Sequence, residues 1–304
     1  MRKFWLVLRQ AVTEFLGDHG MKLSASLSYY TIFSLGPVLI IVISLAGIFF
    51  GRDAVQGKIY YQIHGLVGNQ AALQIQDIIK NIEHTQSGTQ GAVVGIVILI
   101  IGATSVFTEI QDSINFIWSI KAKPKRGLVK FMLDRILSFS LIVSFGFILM
   151  VSLAIHAFVD LLYERLTHFV ADRFLVVFIG INYMLLFVVI SVLFAIIFKV
   201  LPDATVRWRD AFVGAGFTAL LFLAGKFVIG FYLGNSTIGE TFGAAASIII
   251  LLVWVYYSSV LLYFGAEFTK VYTLNFGSGI TPHKTAVFII KQEVKELHIP
   301  QEDN

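Results

Sequence analysis

Six long apolar runs set what this chain can become. They extend approximately over Thr31–Phe50, Gly91–Ile110, Ile136–Phe158, Phe174–Val200, Ala211–Leu233 and Gly243–Ala266. The hydrocarbon core of a bilayer is about 30 Å thick, so a spanning helix needs about 20 mostly apolar residues. Each run meets that length. A single run of this kind could be a buried helix of a water-soluble protein. Six of them in 304 residues, with only 14% charged residues, leave too little polar surface to cover them. A soluble domain carries about 25% charged residues. The Val, Ile and Phe content would suit strands in water. In lipid, however, an open strand leaves backbone groups unpaired, and barrel strands alternate in polarity, which these runs do not. The expected fold is therefore an all-α integral membrane protein, a bundle of six transmembrane helices.

Charge in the loops supplies the orientation, because Lys and Arg accumulate in short cytoplasmic loops. Seventeen of the 23 basic residues fall on one side: Arg2, Lys3, Arg9 and Lys22, then Lys121 to Arg135, then Lys199, Arg207 and Arg209, then Lys270, Lys284, Lys291 and Lys295. Arg52, Lys58, Lys80, Arg165 and Arg173 make five on the other, and Lys226 lies within a span. The expectation is that both termini are cytoplasmic.

The chain divides by pattern. Residues 1–22 form an N-terminal amphipathic helix, with Phe4, Leu8, Ala11 and Phe15 at helical spacing. Arg2, Arg9 and Glu14 interrupt it, so it is not read as a cleaved signal peptide. Such a helix either lies on the inner membrane face or packs on the bundle. Residues 23–273 are the transmembrane domain. The extracytoplasmic loop 51–90 carries two short amphipathic stretches broken near Gly68-Asn69, and residues 274–304 are a short cytoplasmic tail.

Small residues allow close helix approach in lipid. Gly47 and Gly51, Gly91 and Gly95, and Gly230 and Gly234 are spaced for it; Gly214 to Ala219 and Gly243 to Ser247 are rich in small side chains. Packing within the chain explains them, and a homo-oligomer seam is the alternative. Pro37 should kink the first span.

Ionisable and polar groups at membrane depth are the functional candidates. Ser28 and Thr31 share one face of the first span. Lys226 lies nearer the outer end of the fifth span, with Glu240, Asp160 and Glu164 on that side as possible partners. Ser28, Thr31, Lys226 and Glu240 are the candidate polar cavity or substrate-binding site, against which stand carbonyl capping at Pro37 and snorkelling of Lys226. Glu109, Asp112 and Asn115, spaced by three, share a helix face, and Glu267 closes the sixth span on the same side. They form a candidate cytoplasmic mouth, against which stands simple pairing with Lys121–Arg126. The Lys121–Lys130 run is explained by topology alone, with attraction to anionic lipid as a second effect.

Several chemistries lack their residues. There is no phosphate-binding GxxxxGK[ST] loop, no HExxH, no GxSxG and no cysteine. No catalytic residue, metal site or cofactor is expected, and no nucleic-acid partner; membrane lipids are the expected partners.

Specific strings then resemble the YihY/BrkB family of bacterial inner-membrane proteins. They are Ala25-Ser26-Leu27-Ser28-Tyr29-Tyr30 through Gly36-Pro37, and Thr104-Ser105-Val106-Phe107-Thr108-Glu109-Ile110-Gln111-Asp112 with Asn115 and Trp118. Leu201-Pro202-Asp203, Arg207-Trp208-Arg209-Asp210, Trp254-Val255-Tyr256-Tyr257 and Gly265-Ala266-Glu267-Phe268-Thr269 continue the likeness, which covers roughly residues 20–273. Thr241-Phe242-Gly243 departs from the Tyr-Gly that the family often shows there. The resemblance implies a six-span protein of the bacterial inner membrane with cytoplasmic ends. It implies no reaction. The label ribonuclease BN, once given to members, finds no metal-ligand set here. The expected function is transport or export of an envelope lipid or anionic metabolite. The alternative is a non-transporting envelope scaffold or assembly protein.

Overall fold

A computed structural model describes residues 2–34, 72, 73, 76, 105–123, 173–235, 242 and 245–290. The third expected span, nearly all of the loop 51–90, most of the first two spans and Glu240 lie outside the described residues.

The described chain is mostly helical. Helix α1 (Arg2–Gly17) and helix α2 (residues 20–34) meet at a turn in which His19 adopts a left-handed φ of 55°. Helix α3 covers residues 105–117. Helices α4 (Arg173–Val200), α5 (Trp208–Gly234) and α6 (Ala246–Phe276) are the long ones. Three stretches of these are long and apolar enough to cross a membrane: Gly180–Val200, Trp208–Leu233 and Ile248–Phe276. The protein itself buries only 28%, 33% and 39% of them. That much exposed apolar helix is stable only in an apolar surrounding, which is what lipid provides.

Helix α6 continues ten residues past Ala266, where the apolar run stops. Hydropathy marks where lipid ends, but hydrogen bonding carries the helix on, so Glu267 and Lys270 sit on its flank rather than at its end. The physical terminator is Gly277, whose N–H bonds Thr273 O at 3.1 Å.

Helix α5 packs between α4 and α6. Its seam with α6 is antiparallel and unusually close. A methyl group on Gly214 would land on the Thr269 hydroxyl, and one on Gly265 would land on Thr218. Each threonine returns its hydroxyl to its own helix, Thr218 to Gly214 O at 2.8 Å and Thr269 to Gly265 O at 2.6 Å. A hydroxyl satisfied within its own turn can then lie against the opposing glycine without an unmet hydrogen bond. With no hydrophobic drive between helices in lipid, such close van der Waals contact is the main source of adhesion.

Four short strands depart from the all-α expectation, all at one end of the bundle. Strand β1 (Ile120–Ala122) pairs antiparallel with β4 (Ala286–Phe288), and β2 (Ala204–Thr205) with β3 (Thr281–Pro282). The segment after α6 thus sews the loop after α3 to the loop between α4 and α5. Lys121 and Lys123, Arg207 and Arg209, and Lys284 share one end of the molecule for this reason, and α1, which packs on the last turns of α6, brings Arg9.

The main core cluster lies at that same end, built on Ile110, Ile114, Ile117, Trp118, Phe198, Leu201, Tyr263 and Ala266. Helix α1 buries Val7 and Ala11 against Phe268 and Val271 of α6. It therefore packs on the bundle, yet Trp5, Leu6, Val12 and Leu16 remain exposed along it. One apolar stripe docks on protein and a second is left for an interface.

Candidate functional site

Of the four expected cavity residues, Ser28, Thr31 and Lys226 lie among the described residues. The hydroxyl of Ser28 donates to Ala25 O at 2.8 Å and that of Thr31 to Leu27 O at 2.8 Å. Ser24 does the same to Gly20 O at 2.7 Å. Hydroxyls satisfied by their own helix can face a packed neighbour at little cost, which explains why Ser24 and Ser28 are buried. Lys226 is half-buried on α5, beside exposed Phe227 and Val228. Glu240 lies outside the described residues.

The expected mouth residues occupy the end of the bundle where the strands lie, but in two separate clusters. In the first, Asn115 turns inward. Its Nδ2 donates to Asp203 Oδ2 at 3.0 Å, and its Oδ1 accepts the Asp203 backbone N–H at 2.8 Å. Gln111 Nε2 approaches Asp203 Oδ1 at 3.4 Å, and Asp203 O accepts the His283 N–H at 2.9 Å. Asp203 thereby joins α3, the α4–α5 loop and the segment after α6. Asp112 is exposed and Glu109 is partly buried on the remaining face of α3. Glu109 and Asp112 follow at a spacing of three on α3, and Asn115, one further step around the helix, lies in the core.

The second cluster surrounds Lys270. Its Nζ lies 2.6 Å from Glu267 Oε1, 2.8 Å from Glu14 Oε2 and 3.6 Å from Asp18 Oδ2, and donates to Ile117 O at 2.9 Å. One ammonium thus serves three carboxylates from α1, the α1–α2 turn and α6, and a carbonyl of α3. Glu267 has no solvent exposure, and its Oε2 has no hydrogen-bond partner among the described residues. Glu14 is further held by Gln10 Nε2 at 2.7 Å. Partial burial pushes the Glu14 carboxyl up, but the hydrogen bonds from Lys270 and Gln10 outweigh it and hold the group below the usual carboxylate range. Buried Trp118 donates its indole N–H to Ala266 O at 3.0 Å. Among the described residues, no group of three or more His, Asp or Glu is arranged to hold a metal ion.

Sequence reasoning had Glu267 but not its partners. By pattern alone, Lys270 reads as a loop charge and Glu14 as an interruption of an amphipathic helix. The usable signal was the pair Glu267 and Lys270 at a spacing of three on a helix.

This arrangement can be set beside known proteins. A family model described as virulence factor BrkB matches residues 11–287. The chain belongs to this family. Relatives of the BrkB family chain include a UPF0761 membrane protein of Verminephrobacter eiseniae, 28% identical over 272 residues, covering 87% of this chain and 62% of the relative. Another, from Azotobacter vinelandii, is 29% identical over 277 residues with the same coverage of 87% and 62%. A third, from Aeromonas salmonicida, is 28% identical over 254 residues and covers 80% of each chain. The chain spans about six-tenths of the length of the first two of these relatives. No solved structure matches it. Both buried clusters lie within the matched BrkB region.

Proposed function

We propose that this BrkB family member moves an anionic envelope lipid or anionic metabolite across the bacterial inner membrane, with the Lys270 cluster as a latch at its cytoplasmic mouth. The observation that carries this reading is Glu267, a fully buried carboxylate on a candidate spanning helix, tied through one lysine to a helix outside the bundle. Buried ions add little stability over apolar packing of the same shape, so their presence favours a switching role. Release of Glu14 and Asp18 from Lys270 would free α1 and leave the cation for an entering anion. The cytoplasmic assignment rests on the excess of Lys and Arg at this end. External labelling of a single cysteine placed at residue 123 in intact cells would reverse it.

The test is reconstitution of the full chain in phosphatidylcholine vesicles holding fluorescent phosphatidylglycerol in one arm and an entrapped anionic dye in the other. Faster lipid flipping or dye release than in empty vesicles is expected, reduced in Glu267→Gln. Neither signal would leave the non-transporting scaffold, a reading favoured by the hydroxyls of Ser28 and Thr31 turning back to their own helix.

A further inference from the structure

A cavity of about 520 Å³ opens where α5 begins and α6 ends, outside both buried clusters. Arg207, Arg209, Trp208, Asp210, Tyr272 and Phe276 are among the residues around it. The size is that of a small-molecule site. Neither guanidinium has an ion-pair or hydrogen-bond partner among the described residues, whereas the carboxylate of Asp210 is engaged, accepting from Ser278 N–H at 3.2 Å and Ser278 Oγ at 3.1 Å. Two free cations thus face the cavity with one occupied anion. Arg207 is extended (φ −70°, ψ 145°) and offers no side-chain cap, so the first N–H groups of α5, at Trp208 and Arg209, have no intrahelical acceptor.

The rim is apolar. Trp208, Phe212, Val213 and Phe276 are all exposed beside the cavity. Helix α5 has 27 residues, hence a length of about 40 Å, close to the roughly 40–45 Å of a bilayer with its headgroup layers. Its first residue therefore falls in the headgroup layer, where indole rings concentrate. Guanidinium groups bind phosphate in a planar, two-point fashion that other side chains do not match.

We infer that this cavity binds the phosphate of an anionic phospholipid headgroup, with Arg207 and Arg209 on the phosphate and the Trp208–Phe212–Phe276 rim on the adjoining acyl region. The shared chemistry is a phosphate ester, and the apolar rim selects the lipid over a soluble anion. This deepens the proposed function by naming the class of charged group. Its test reads binding, so a failure of transport would leave it standing.

The full chain is placed in phosphatidylcholine vesicles containing either brominated phosphatidylglycerol or brominated phosphatidylcholine, and tryptophan quenching is recorded. The part lost in Trp208→Phe reports the site. Several-fold stronger quenching of that part by the brominated phosphatidylglycerol is expected, falling to equal quenching by the two lipids in Arg207→Gln/Arg209→Gln. The Arg207→Lys/Arg209→Lys variant should keep part of the preference, which separates loss of charge from loss of fold. Equal quenching in the unmodified chain, or a preference that survives the Gln pair, overturns the inference. A preference abolished by millimolar inorganic phosphate also overturns it, and assigns the cavity to a soluble anion.

Discussion

The two ends of the α5–α6 pair are held by different means. At the end where the strands lie, Gly214 meets Thr269 and Gly265 meets Thr218 in a close seam. Around it stand the Asp203 and Lys270 clusters. At the other end, Ile229, Leu233 and Ile250 make one small apolar cluster, and Gly230 faces open space beside Phe231, which is 75% exposed. Yet it is the open end that carries a GxxxG spacing, at Gly230 and Gly234, and the tight end that does not. A glycine permits close approach; the residue across from it decides whether approach occurs. Threonine works here because its hydroxyl, satisfied within its own turn, can lie against the glycine without a lost hydrogen bond.

If the two ends differ as described, substitutions should separate them. Lys270→Met should produce the largest loss, about 3–5 kcal/mol, since it strands a buried carboxylate. Thermal unfolding of the full chain in detergent measures it, and adding Glu267→Leu should restore part of the loss. A Lys270→Met protein as stable as the parent would show that the ion cluster does not hold this end. Next comes Gly265→Leu, which forces the seam apart and should cost about 1–3 kcal/mol by overpacking. The smallest effect belongs to Gly230→Leu, expected within about 0.5 kcal/mol of the parent because nothing lies across from it. A Gly230→Leu loss as large as that of Gly265→Leu would mean that another surface, such as a second copy of the chain, covers this face.

Much of this helical frame was legible because it follows from residue type alone. The apolar runs at Phe174–Val200 and Ala211–Leu233 correspond to α4 and α5 within a few residues. Hydropathy could not report where α6 ends, since its last ten residues are helical without being uniformly apolar. The strand pairs were illegible for a different reason. Segments of two or three residues have no period to detect, and their stability comes from partners far away in the chain. The same holds for the site. Glu267 stood out as a charge beside a span, whereas its tie to Glu14 is a long-range contact that no local pattern encodes. Asp203 was visible only as part of a Leu-Pro-Asp string; its role as acceptor for Asn115 and Gln111 depends on how α3 is set against the α4–α5 loop.

The latch between α1 and α6 also has a history in time. Glu14 and Asp18 leave the ribosome long before Lys270 is made. At about 5–20 residues per second, the interval is on the order of 10–50 s. For that period the first helix carries its acidic groups and its apolar stripes with no docking partner from its own chain. The nearest surface able to receive Trp5, Leu6 and Leu16 is then the membrane being entered. Assembly of this end is therefore a late event, closed only when the last long helix arrives.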